Sequence, residues 1–219
     1  MSNVLPAILF VLATARPFHL TLEANPAAPF PFLSKFGNVT LQVYPNGVRA
    51  ESLWLRGFSR NGAPAVTVED PLNRTYSDVA LSEIGATLHK ISGPLPGLEA
   101  AAPTSIQTTD GKVRGLAARR YRMLFGPNTF VDVWTTTALG DAPQYVELVN
   151  RFVTGISPAT AKWVRSVPGV PLYVELNFRR FKKVPILRLK EVAFNTDGQD
   201  EALKVSSFMF RAPFSAVIK

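Results

Sequence analysis

Gly169-Val170-Pro171-Leu172-Tyr173-Val174-Glu175-Leu176-Asn177-Phe178 sets how the rest of this chain is read. From Leu172 on, Leu172, Val174, Leu176 and Phe178 fall on one side, with Glu175, Asn177 and Arg179 on the other. A two-residue period of this kind marks a strand with one face on a core. Gly169 and Pro171 punctuate its start. A second run puts Leu187 and Leu189 on one face and Arg188 and Lys190 on the other. The two runs therefore read as a hairpin whose end carries Arg180, Lys182 and Lys183, next to the outward Arg179.

Two short amphipathic helices lead into this hairpin. Asp141 is a capping residue, with Pro143 in the first turn. Tyr145, Leu148, Val149 and Phe152 then recur at helical spacing. Ser157-Pro158 opens the second helix, whose apolar side is Trp163 and Val164.

Toward the N-terminus the pattern is mostly strand. Phe18 to Glu23 alternates. Val39 to Tyr44 and Val48 to Trp54 flank Pro45-Asn46-Gly47, and the Asn-Gly pair suits the positive φ angles of a tight hairpin. Ala65 to Val68 and Arg74 to Tyr76 flank a turn at Asp70-Pro71-Leu72-Asn73. Val79, Ile84, Leu88 and Ile91 share one helical face, with Gly93-Pro94 as a stop. Ser105 to Phe125 reads as a long hairpin turning at Asp110-Gly111, followed by a strand over Thr129 to Thr136. The sum is an α+β fold, a curved antiparallel sheet closing over about three helices.

Composition limits what such a fold does. The chain has 219 residues, 47% of them hydrophobic, which is enough for one large domain with a real core. No linker divides residues 16–219. With no cysteine, disulfides, thiolate metal sites and thiol nucleophiles are excluded. The net charge of +8 favours anionic partners: headgroups, nucleic acid or an acidic protein face.

Residues 1–15 stand apart. Val4, Leu5, Ile8, Leu9, Phe10 and Leu12 make an apolar stretch, and Ala13-Thr14-Ala15 fits a cleavage site before Arg16. Met1-Ser2-Asn3 has no Lys or Arg and Pro6 interrupts the stretch, so a retained arm that inserts into a membrane interface or a partner is the other reading. The stretch is shorter than the ~20 apolar residues a bilayer span needs.

No catalytic constellation is present. His19 and His89 are far apart, without acids at ligand spacing, so no metal is expected. Glu69-Asp70 precedes Pro71 at a turn, where acids cap backbone groups. The nucleophile-elbow, phosphate-loop and dinucleotide glycine patterns are all missing. An enzyme and a cofactor are therefore not expected. Nucleic-acid binding is not expected either, because Tyr121 and Phe178 fall on the apolar side of their strands rather than among the exposed arginines. Trp54, Trp134, Tyr145, Leu148, Phe152, Trp163 and Phe178 are the candidates to line a cavity.

Several motifs in order resemble one family. They are Tyr44-Pro45-Asn46-Gly47-Val48-Arg49, Gly115 to Tyr121, Asp132 to Gly140, Gly169-Val170-Pro171-Leu172 and Phe208 to Pro213. Over residues 18–214 the chain resembles the bacterial lipoprotein carriers of the LolA and LppX type. That resemblance implies a strongly curved half-barrel with helices on its concave face and an apolar cavity between them. The expectation is a non-enzymatic periplasmic or exoplasmic protein that binds a lipid or other hydrophobic molecule there, with Arg179, Arg180, Lys182 and Lys183 meeting an anionic surface. The alternative is an accessory structural subunit docked on the exoplasmic face of a membrane protein complex through the arm at residues 1–15.

Overall fold

The computed structural model describes residues 18–24, 38–44, 46–81, 83, 86, 103–140, 143–156, 158–178, 181–194 and 199–217. Among these, twelve strands form one sheet: β1 (Phe18–Ala24), β2 (Asn38–Tyr44), β3 (Gly47–Glu51), β4 (Arg56–Arg60), β5 (Ala65–Asp70), β6 (Thr75–Ala80), β7 (Ser105–Val113), β8 (Leu116–Gly126), β9 (Thr129–Thr136), β10 (Val170–Phe178), β11 (Phe181–Ala193) and β12 (Phe210–Arg211). Their order is β12-β6-β5-β4-β3-β2-β1-β11-β10-β9-β8-β7. Two meanders, β1 to β6 and β7 to β11, join where β1 pairs antiparallel with β11. The sheet leaves β12 and β7 as edges and does not close into a barrel.

Among the described residues the helical elements are α1 (Pro143–Ile156), α2 (Pro158–Val164), α3 (Gln199–Ala202) and α4 (Phe214–Val217). This corrects the expected α+β division. The molecule is nearly all-β, and the helices are minor additions to a mixed sheet rather than a layer of their own. The mixed character comes from β12, which runs parallel to β6 with Phe210 beside Thr75 and Arg211 beside Tyr76. Strand pairing wins because short alternating runs bury one face each and satisfy their backbone groups only against a neighbour.

The main core sits at the joint between the meanders. Phe18, Leu20 and Leu22 alternate inward from β1 and meet Val43, Leu41 and Val39 of β2. Val48, Val170, Leu172 and Leu189 extend this core, and Leu139 and Tyr145 close it from the loop before α1 and from α1 itself. Leu148 and Val149 of α1 add to it. A second cluster lies between Tyr121 and Met123 of β8 and Trp163 of α2.

Three local expectations are corrected. The β7–β8 turn falls at Arg114-Gly115 and not at Asp110-Gly111. Both turn residues have positive φ, 51° and 84°, as a two-residue hairpin requires. Asp110 instead pairs with Arg119 across the ladder, and Gly111 lies under the Trp134 ring, where a Cβ would be 2.8 Å from Cζ3. β3 ends at Glu51, so Leu53 and Trp54 sit in a turn closed by Ser52 N–H donating to the Leu55 carbonyl at 2.8 Å. Val79 belongs to β6 and not to a helix; Ile84, Leu88 and Ile91 lie outside the described residues.

Candidate functional site

The space between helices and sheet is bounded by α1, α2, β9 and the start of β10. Val146, Val149 and Asn150 come from α1, Trp163 and Val164 from α2, Val133 and Thr135 from β9, and Pro171 from β10. The helices are held here by their own apolar arcs and by a crossed contact: α2 continues into Arg165, whose guanidinium donates to the Thr154 hydroxyl of α1 at 3.3 Å. Gly169 lets the chain turn straight from α2 into β10. Its φ is +89°, and a Cβ there would lie 2.5 Å from the Thr136 carbonyl oxygen.

The cleft is small, about 30 Å³. That is one water molecule's share of liquid volume, against ~300–1,000 Å³ for pockets that take small molecules. Its wall is mostly apolar. Trp163 Nε1 and Asn150 Oδ1 are buried and make no hydrogen bond. A donor and an acceptor left unpaired in one cleft cost about 1–3 kcal/mol each. Of two wider, more open hollows, one of about 330 Å³ (by Asp110, Arg119 and Thr137) adjoins this cleft through Thr135 and Pro168, and one of about 430 Å³ (by Phe58, Arg60 and Lys204) shares no lining residue with it.

The candidate cavity residues are dispersed. Tyr145 and Leu148 are in the main core, with Trp134 packed at its border. Burial pushes the Tyr145 phenol well above its usual range. Of the described candidates, Trp163 lines the cleft. Trp54 is half-exposed in the β3–β4 turn and does not join the others. Phe152 is part of α1 and Phe178 of β10, where it pairs with Phe181, but their side chains lie outside the described set. Arg179, Arg180 and the apolar arm Val4, Leu5, Ile8, Leu9, Phe10 and Leu12 also lie outside the described residues. Lys182 and Lys183 are exposed at the start of β11.

A second group, on β8, β9 and β10, escapes the sequence reading. Asp132 is buried and accepts two hydrogen bonds from Arg122, at 2.8 and 2.7 Å. That bond, ahead of the opposing cost of burial, holds the Arg122 guanidinium above its ordinary pKa. Arg122 stacks over Phe130 at 4.0 Å and Arg120 over Trp134 at 5.8 Å. Beside them the Tyr173 hydroxyl donates to Glu175 at 2.8 Å. Arg188 and Lys190 both reach Glu23, holding its carboxyl below the usual range. Each of these cations has an anion or a ring as partner, so the face is a stabilising ladder rather than an open anion site. The signal that exposes it is a pairing register, Arg122 against Asp132, which the order of residues alone does not reveal.

The third group holds the C-terminal segment down. Arg49 donates to the Ala202 carbonyl at 2.6 Å, Arg60 to that of Leu203 at 2.9 Å, and Glu69 accepts from Ser206 N–H at 3.4 Å. Leu203 packs with Tyr44 and Phe58 on the sheet face opposite Leu41 and Val48. Among the described residues no cluster of three His, Asp or Glu side chains could hold a metal ion. Among them, too, no helix is long and apolar enough to cross a membrane.

No family model and no curated protein matches this chain. Among solved structures, an uncharacterized conserved protein from Thermus thermophilus overlays with a TM-score of 0.47 at 8% identity, covering 91% of this chain and 92% of that one.

Proposed function

We propose that this chain is a non-enzymatic cell-envelope protein that works as an accessory structural subunit, docked on the exoplasmic face of a membrane or membrane complex. The observation that carries the reading is the filled interior. Among the described residues, Tyr145, Leu148 and Val149 pack from α1 into the main core, and the cleft beside Trp163 holds about 30 Å³. The apolar residues 4–13 and the +8 charge support attachment to a membrane with anionic headgroups.

One observation favours carriage of a lipid or other hydrophobic ligand as the second reading. The unpaired Trp163 Nε1 and Asn150 Oδ1 face one apolar cleft, and they suit an amphipathic molecule bringing both a donor and an acceptor.

Native mass spectrometry of protein purified gently from its source separates the two. Full-length chain bound to membrane proteins and without lipid supports the subunit. Chain beginning at Arg16 with a co-purifying lipid supports the carrier and overturns the first reading. An Asn150→Leu variant sharpens the result: it gains about 1 kcal/mol of stability if the cleft is only structural, by removing an unpaired buried acceptor. Under the carrier reading it loses the lipid.

A further inference from the structure

At the strand ends where β3 turns into β4 and β5 into β6, the protein shows apolar side chains to solvent. Leu53 is 76% exposed, Trp54 51% and Leu72 67%. Phe208 and Phe210 join them on the segment entering β12, where Phe210 N–H donates to the Arg74 carbonyl at 2.8 Å. The register puts these at one end of the sheet: Glu51 opposes Arg56, Asp70 opposes Thr75, and Phe210 lies beside Thr75. From β3 to β12 the order is β3-β4-β5-β6-β12, so at ~4.8 Å per strand the group spans about 20 Å. Seven large hydrophobic side chains are exposed among the described residues, and five of them are here. Scattered single exposures need no explanation, but a gathered set does.

Charge at this end is mostly positive. Arg74 is exposed beside Leu72, and the β10–β11 hairpin, which opens at the same end, exposes Lys182 and Lys183. The nearby acids are engaged. Glu51 is shared by Arg49 and Arg56, Asp78 pairs with Arg211, and Asp70 accepts from the backbone of Leu72 and Asn73.

We propose that this end of the sheet docks on an anionic lipid bilayer, a step that rests on the membrane-docked reading above and names its surface. Leu53, Trp54, Leu72 and Phe210 enter the interfacial zone, where an indole is favoured. Arg74, Lys182 and Lys183 lie at the headgroups, their stems along the apolar boundary and their charges on phosphate. Strand-end turns suit this role, because turn tips meet a plane without opening the backbone pairing of the sheet.

The test is co-sedimentation of the full-length chain with vesicles of phosphatidylcholine alone and of phosphatidylcholine mixed with phosphatidylglycerol, at low and high salt. The chain binds the mixed vesicles, and salt weakens that binding. Trp54→Ser combined with Leu72→Ser lowers the partition about tenfold or more, by removing apolar insertion. Lys182→Glu combined with Lys183→Glu removes the preference for phosphatidylglycerol. Phe194→Ser, at the opposite strand end, leaves binding unchanged and controls for general stickiness. All of these positions are exposed, and thermal unfolding verifies that each variant is folded. Mixed-vesicle binding that survives both double variants overturns the docking surface while leaving attachment through residues 1–15 in place. A chain that ignores both vesicles yet co-purifies with a membrane protein overturns the lipid surface and makes a protein face the occupant. A chain that does neither overturns the membrane-docked reading as well.

Discussion

Arg49 on β3 and Glu69 on β5 meet across β4 at 3.6 Å, with the Glu69 side chain wholly buried and Arg49 nearly so. Arg49 also bonds Glu51 and the Ala202 carbonyl, so one guanidinium ties three elements together. A buried charge is tolerable only when paired, and losing one partner is worse than losing both. Arg49→Met is therefore expected to cost about 3 kcal/mol in chemical denaturation, because it strands the Glu69 carboxylate. Arg49→Met with Glu69→Leu should recover most of that loss. Equal losses in the single and double variants would show that the ion pair is not what holds the segment.

Gly169→Ala tests the turn from α2 into β10. The new Cβ meets backbone, the Thr136 carbonyl oxygen at 2.5 Å, and φ is +89°, which L residues rarely adopt. Backbone cannot swing aside as a side chain can. The expected loss is about 2–4 kcal/mol, read as a lowered thermal midpoint. An unchanged midpoint would mean that this turn is free to reshape.

The β7–β8 turn offers a gain. Arg114 has φ 51° ahead of Gly115 at 84°, a place where asparagine is favoured over arginine. Arg114→Asn is expected to stabilise by about 0.5 kcal/mol, with little effect on the folded contacts. Guanidinium denaturation midpoints for the two chains decide it, and a loss would contradict the turn assignment.

Alkaline pH should weaken the fold through Tyr173. Burial, and then the bond to Glu175, push its phenol up to about 12 from an ordinary value of 10.0. The protonated form is the one the folded state favours. Its contribution is complete below the unfolded value of 10.0 and disappears as pH rises toward the folded one. Stability should thus fall as pH climbs from about 10 to about 12, and Tyr173→Phe should make that part of the curve less steep, leaving the share of the buried Tyr145. The measurement is the denaturation midpoint against pH, followed alongside phenolate absorbance.

Much of the sheet is legible as period-two alternation. Phe18 to Glu23, Val39 to Tyr44 and Leu172 to Phe178 all fall in strands. α1 is legible from Tyr145, Leu148 and Val149. Asp110-Gly111 misleads because it is a good turn pair, yet it lies within β7, where Asp110 finds Arg119 and Gly111 makes room for Trp134. The described aromatic candidates lie in different surroundings for a similar reason. An apolar side chain looks the same in sequence whether it fills a core, as Tyr145 does, or faces water, as Trp54 does.

The local periods, the two-helix insertion before β10 and the absence of thiol chemistry can all be read from the chain alone, because each depends on residues near one another or on composition. Folding in three dimensions was needed to establish that β1 pairs with β11 and that β12 adds in parallel beside β6. It was needed too for the burial of Glu69 against Arg49, and for the gathering of Leu53, Trp54, Leu72 and Phe210 at one end of the sheet. These are partnerships between segments that can be most of the chain apart. Backbone groups and apolar faces accept any neighbour that satisfies them, so the choice among neighbours is settled by packing of the whole sheet and not by any one stretch of it.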